Sequence, residues 1–328
     1  MLLNAFSKRL LGHQELQDRI RHSNDFLRKV RETLSTFHSG NLSEVCMFAV
    51  GSLGRCETGR KSDLDVFLLA HRESKLSDEH SITRLQEVQI FSDLIRLNEK
   101  LSLPSFSGDG RFLKIHEIDD LIKAAGDSSR DDNENLFTAR LLLLLESKPL
   151  SNDGLYETAF KRVLDNYFRD GKGRRDFQPL FLLNDVLRYW RTLCLNYERD
   201  RTLQKSWWKK NLNLKFSRKL TVFSTVLAIV GEQVATTGEF MTFARSVPLE
   251  RLAATLDRIG DEALVKSFEK LLDDYESFLA AKSYAELEAK KPEVIEEFRR
   301  KAETFGDFFI FALQSSKLKR SLVRYVLI

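Results

Sequence analysis

The chain has little of what disulfide-stapled domains, zinc modules and membrane proteins are built from. Among its 328 residues are three cysteines, Cys46, Cys56 and Cys194, an odd and widely spaced set that offers no paired framework and fits a reduced, cytoplasmic setting. The six histidines, His13, His22, His38, His71, His80 and His116, lack the close ligand spacing of a zinc site, so no zinc is expected. Long apolar runs are missing too. No apolar signal region follows Met1, and the longest late run, Leu220 to Val230, falls short of the ~20 residues that span a bilayer. Nor does one sign of charge dominate. Fifty-two basic and 48 acidic residues leave a net charge of +4, so bulk charge does not call for nucleic acid.

What is present suits a folded enzyme-sized protein. At 42% hydrophobic content the chain is long enough for two domains and a sizeable core. It shows no internal repeat and no low-complexity tract. The most informative stretch is Phe48-Ala-Val-Gly-Ser-Leu-Gly-Arg-Cys-Glu-Thr-Gly-Arg-Lys-Ser-Asp-Leu-Asp-Val-Phe-Leu-Leu69. One apolar run, Val45 to Val50, enters a turn bearing Gly51, Ser52 and Gly54. A second, Val66 to Ala70, follows directly behind Asp63-Leu64-Asp65. Alternation along a strand puts Asp63 and Asp65 on one side while Leu64 and Val66 face the core. Mg²⁺ is commonly held by one or two carboxylates plus substrate phosphates and water, so the pair suits a nucleoside triphosphate. Glycines at 51 and 54 let backbone N–H groups approach phosphate, and Ser52 adds a hydroxyl.

These residues resemble the DNA polymerase β-like nucleotidyltransferases, whose signature is Gly-Ser or Gly-Gly, about a dozen residues, then Asp-x-Asp. Gly51-Ser-Leu-Gly-Arg-Cys-Glu57 followed by Lys61-Ser-Asp-Leu-Asp65 is most similar to the branch of the signal-transducing uridylyltransferases and DUF294-type enzymes. The match covers roughly residues 45 to 70, with a fainter similarity at Leu113 to His116 and Phe137 to Ser147. The resemblance implies an α+β fold: a small mixed β-sheet core flanked by helices, followed by an α-helical domain. It also implies Mg-dependent transfer of NMP or dNMP from a nucleoside triphosphate to a hydroxyl, with pyrophosphate release. Asp63 and Asp65 would bridge two Mg²⁺ ions, with Mn²⁺ as the alternative, and Gly51 and Ser52 would hold the β- and γ-phosphates.

The family needs a third carboxylate on a neighbouring strand. After a helix-like segment, Ile82 to Leu101, the segment Arg111 to Ile118 reads as that strand, with Glu117 the first candidate and metal ligand and Asp109 the second. Arg55, three residues after Ser52, is a candidate for triphosphate charge, with Arg60 and Lys61 more distant. Glu57 is expected to pin the loop by pairing with a base, and Cys56 to be a partly buried spectator. For His116 the plain expectation is a strand histidine facing a partner, with assistance to proton transfer as the alternative.

The second half reads as helices, with apolar groups at three- and four-residue intervals over Phe181 to Leu195, Phe216 to Val234, Glu262 to Ala289 and Val294 to Leu313. Pro248, Gly260 and Pro292 supply breaks or caps. The expected organisation is an N-terminal helical segment (1–40), the nucleotidyltransferase domain (41–150), and a helical domain with a C-terminal tail (151–328). The resemblance makes Lys215, Arg218 and Lys219 candidate triphosphate or acceptor contacts. Trp207 and Trp208 are read as core or interface ahead of a base platform. Leu264, Phe268, Leu271, Tyr275 and Leu279, with Phe305, Phe308, Phe309 and Phe311, either fill the helical core or support a homodimer.

Three functional classes fit the sequence. The leading one is an enzyme that transfers NMP units, either building a signal nucleotide or short oligonucleotide or modifying a hydroxyl on a protein; self-priming on Tyr325 would resemble anti-phage nucleotidyltransferases of the Hailong type. The second labels a partner toxin or signalling protein, and the third is a catalytically silent nucleotide-binding module.

Overall fold

The apolar runs that flank the Gly-Ser turn are neighbouring strands. The computed structural model describes residues 6, 8–37, 44–60, 62–71, 81–106, 110, 113–127, 131, 135–171, 174, 176–202, 207–282 and 292–326. Its first part runs through α1 (Gln14–Leu34), β1 (Val45–Ala49), the single turn α2 (Gly51–Gly54), β2 (Val66–Ala70), α3 (Arg84–Lys100), β3 (Ile115–Glu117), α4 (Ile118–Lys123), α5 (Leu136–Glu146), β4 (Lys148–Ser151) and α6 (Asp153–Tyr167). The chain divides into two units, one of Arg19–Arg169 and one joining Met1–Asp18 to Asp170–Ile328. Against the expected boundaries at 40 and 150, most of α1 and all of α6 group with the sheet.

The four strands lie in the order β3-β2-β1-β4. β1 is antiparallel to both β2 and β4, while β3 is parallel to β2, making the sheet mixed. Every residue of β1 and β2 is buried, as continuous apolar runs require when helices cover both faces. Val45, Met47, Ala49, Val66, Leu68 and Ala70 share one face with Val30 and Leu34 of α1 and Ile90, Leu94 and Leu97 of α3. On the other face Phe48 stacks on Phe67 at 6.0 Å, with Tyr156 of α6 at 6.1 Å from Phe48. A capping box starts α3, in which Gln86 N–H donates to Thr83 Oγ1 at 3.3 Å and Thr83 N–H donates to Gln86 Oε1 at 2.8 Å.

The other unit is helical: α7 (Leu180–Thr202), α8 (Trp207–Asn213), a π-helical turn at Leu214–Arg218, α9 (Lys219–Val230), α10 (Thr237–Arg245), α11 (Pro248–Ile259), α12 (Glu262–Ala281), α13 (Pro292–Leu313) and α14 (Arg320–Val323). Gly260 ends α11 at φ +68°, a left-handed cap that favours glycine. The largely buried α9 packs against α7 and α11. Phe216 stacks on Phe278 at 4.5 Å and meets Phe305 at 5.0 Å. Leu264, Phe268, Leu271, Tyr275, Leu279, Phe305, Phe308 and Phe309 are all buried. Those stripes are therefore covered within one chain, and of the residues considered for a dimer only Phe311 is exposed. Among the described residues no helix is long and apolar enough to cross a membrane.

Candidate active site

The Gly-Ser turn and Asp65, the residue just before β2, are brought together by the β1–β2 ladder. Beyond the strand ends, Val50 N–H still donates to the Asp65 carbonyl at 3.0 Å, which sets Asp65 beside the start of α2. Gly51 there has φ +66°. A β-carbon on it would lie 2.6 Å from Asp65 Oδ2, so the backbone favours glycine and a side chain there would have to displace the carboxylate. The one-turn helix has no side-chain cap at Val50, and its first amides, those of Gly51 to Leu53, have no intrahelical acceptor.

The alternation expected at the two aspartates is present. Leu64 and Val66 are buried in the core shared with α1 and α3, whereas Asp63 and Asp65 are half-buried. Ser52 is also half-buried. Two half-buried carboxylates are oxygen donors of the type that a hard divalent ion takes. Among the described residues no group of three or more His, Cys, Asp or Glu could hold a metal, so the pair would need ligands from substrate and water.

Arg55 does not stand where its triphosphate role was expected. Its Nε donates to Glu57 Oε2 at 2.9 Å and its Nη1 to Glu146 Oε2 at 2.7 Å, with all three side chains buried. The guanidinium is committed to two carboxylates inside the protein, because the turn closes back onto the end of α5. A β-carbon on Gly54 would lie 1.8 Å from the Glu146 carbonyl oxygen, which shows how tightly α2 is seated there. Glu57 pairs with a base as expected. The loop is also tied to α1, where Arg19 Nη1 donates to the Glu57 carbonyl at 3.0 Å and Ser23 Oγ accepts from Thr58 N–H at 3.0 Å. Cys56 is fully buried at φ +57°, and Arg60 is exposed.

Glu117 is not brought to the aspartate pair. The register sets it beside Ala70, five residues along from Asp65 and about 16 Å at a strand's rise. Ala70 belongs to the face packed on α1 and α3, the opposite face from Asp65 by strand alternation. Glu117 instead accepts hydrogen bonds from Ser81 N–H at 2.8 Å and Ser81 Oγ at 2.7 Å. The register with β2 thus sets Glu117 on the sheet face opposite to that of Asp65. Asp109 and Lys61 lie outside the described residues, as do the side chains of Trp207 and Trp208.

His116 is buried beside Phe67, with ring centroids 6.2 Å apart, and its Nδ1 has no partner among the described residues. The facing partner expected for it is an aromatic ring. Burial, helped by Lys114, lowers its pKa from 6.5 to about 4, so the imidazole is neutral near neutral pH.

One network escaped the sequence reading. Arg140 of α5 is fully buried and donates to both Asp131 oxygens at 2.8 Å, to Tyr167 Oη at 2.7 Å and to the Leu121 carbonyl at 3.0 Å. Burial alone would lower its pKa, but Asp131 and Tyr167 more than offset this and raise it. The available signal was a lone arginine before five leucines, since a charge on a buried helix must be paired. In the helical unit, Lys215 and Arg218 lie on the π turn and Lys219 follows it. Tyr325 is 44% exposed, in the turn Arg324–Val326.

Compared with known proteins, the chain matches no family model and no curated relative.

Proposed function

We propose that the Arg19–Arg169 unit is a polymerase β-like nucleotidyl-transfer core acting on a nucleoside triphosphate. The observation that carries this reading is the close approach of Gly51 to Asp65 Oδ2, which joins the phosphate-type turn to the metal-type carboxylates in one place. Asp63 and Asp65 would hold Mg²⁺, or Mn²⁺, together with triphosphate oxygens, and the bound ions would supply neutralisation of phosphate charge. The Gly51 and Ser52 amides and the Ser52 hydroxyl, on the same turn, would meet the terminal phosphates. A hydroxyl of the acceptor attacks the α-phosphorus. Its bond to phosphorus forms as the bond to the bridging oxygen breaks, and pyrophosphate carries away the electron pair.

The site's rigidity supports this reading. Arg55, Glu57 and Glu146 clamp the turn from within, so the phosphate-facing side is preorganised rather than shaped by the substrate. Acceptor choice is wider: a growing oligonucleotide or signal nucleotide in anti-phage defence, a hydroxyl on a partner protein, or the exposed Tyr325. A catalytically silent nucleotide-binding module is the second reading, favoured by the commitment of Glu117 to Ser81, which leaves no described third acid at the pair.

Incubation with each NTP and dNTP radiolabelled at the α-phosphate, with Mg²⁺, tests the reading. Label transferred to nucleotide product or protein, and abolished by Asp63→Asn/Asp65→Asn, is the expected result. Binding of triphosphate without pyrophosphate release would select the silent module, and absence of both would sink the proposal. Loss of protein-bound label in Tyr325→Phe would identify the tail as acceptor.

A further inference from the structure

The helical unit holds a lysine in an unusual setting. Lys219 follows the π turn Leu214–Arg218, a widened turn of the kind often found at functional positions. Its amine reaches over α13 at Gly306, where a β-carbon would lie 2.8 Å from Nζ. The absence of a side chain at residue 306 makes the room. Lys219 is half-buried, and no hydrogen bond or ion pair among the described residues reaches its amine.

The charged and titratable groups around it come from three elements. Burial and then Lys215, on the π turn, push the Lys219 amine below its ordinary range, while Cys194 of α7 and Asp307 of α13 pull weakly the other way. Cys194 is itself held protonated by burial, with its pKa raised. A desolvated amine beside a second cation is the arrangement that yields a nucleophilic lysine. The second ammonium also suits an anionic leaving group.

We propose that Lys219 is an acyl-acceptor site for acyl phosphates, its half-buried amine set over Gly306 and its neighbour Lys215 placed to pair with the donor's phosphate. The neutral amine attacks the acyl carbon, and a C–N bond forms as the C–O bond to phosphate breaks. Phosphate leaves with the electron pair and the amine's proton passes to water. The product is a neutral amide, which removes the Lys219 positive charge and leaves those of Lys215 and Arg218 at this turn. The proposal does not rest on the nucleotidyl-transfer reading, since it uses none of that unit's residues.

The test is acetylation of the full chain by acetyl phosphate across the neutral to alkaline range, with site occupancy read by peptide mass spectrometry. Each unit of lowered pKa gives about tenfold more free amine near neutrality, so Lys219 should acetylate several-fold faster than the exposed Lys266, with its rate levelling at lower pH. Gly306→Ala should displace the amine and return Lys219 to the Lys266 rate. Lys215→Met should slow acetyl phosphate more than the uncharged donor p-nitrophenyl acetate. Asp63→Asn/Asp65→Asn should acetylate like the natural chain, whether or not nucleotide transfer is found. Equal rates at Lys219 and Lys266 over the whole range would overturn the site. Equal slowing of both donors by Lys215→Met would overturn the choice of an acyl phosphate.

Discussion

Gly51 and Asp65 sit so close that any side chain on the glycine would press on the carboxylate, with a β-carbon 2.6 Å from Oδ2. Gly51→Ala therefore combines a left-handed backbone strain of roughly 1–2 kcal/mol with displacement of Asp65. The expected outcome is a folded protein, slightly lower in thermal midpoint, that loses most triphosphate binding. Gly54→Ala should behave differently. Its β-carbon would lie 1.8 Å from the backbone carbonyl of Glu146, and a backbone atom cannot swing aside as a side chain can. It should cost roughly 3 kcal/mol or more through overpacking and show chiefly as lost stability. Thermal unfolding beside nucleotide titration separates the two.

How far the sequence could be read follows from which signals are local. Val45 to Val50 and Val66 to Ala70 are legible as strands because short apolar runs bracket a turn, and the half-burial of Asp63 and Asp65 follows from strand alternation. The face that Glu117 takes was not legible, because parity across a parallel pair depends on the register with β2, which no local pattern reveals. The inward turn of Arg55 was only half legible: Glu57 is two residues away, but its other partner, Glu146, lies 91 residues on. The stripes on α12 and α13 could be seen as apolar, but only the fold shows that they face inward.

The Arg55 clasp makes its own prediction. Removing the guanidinium leaves Glu57 and Glu146 buried without their cation, and breaking a buried pair in this way costs about 3–5 kcal/mol. Arg55→Met should lower stability in urea by an amount of that order. Arg55→Met with Glu57→Gln and Glu146→Gln should recover much of it, because neutral side chains no longer need a counter-charge. If Arg55 served the triphosphate instead, the single variant would weaken nucleotide binding while leaving unfolding unchanged.

His116 should leave a mark on acid stability. Its folded pKa, about 4, lies below the unfolded value of 6.5, so between the two the unfolded chain binds the extra proton. Stability from this residue is complete above the unfolded value and is lost progressively as pH falls from 6.5 toward 4. The whole effect is at most about 3 kcal/mol. His116→Phe keeps a ring against Phe67 and removes the titration, so its stability between neutrality and mild acid should fall less steeply than that of the natural chain. Parallel pH profiles for the two proteins, measured by urea unfolding, would count against the assignment.

Arg140 and Asp131 pose the sharpest test of how the core is organised. Both are wholly buried, and their paired hydrogen bonds, with Tyr167 and the Leu121 carbonyl, link α5 to α4 and α6. Arg140→Leu strips Asp131 of its cation and should destabilise by about 3–5 kcal/mol, whereas replacing both members together should cost less than either change alone. The double variant would still leave the Leu121 carbonyl without a donor, a penalty of roughly 1–3 kcal/mol, so full recovery is not expected. A double-mutant cycle in urea measures the coupling directly. Additive losses in that cycle would mean that the two residues act separately and that the bidentate pair does not organise the helices around the sheet.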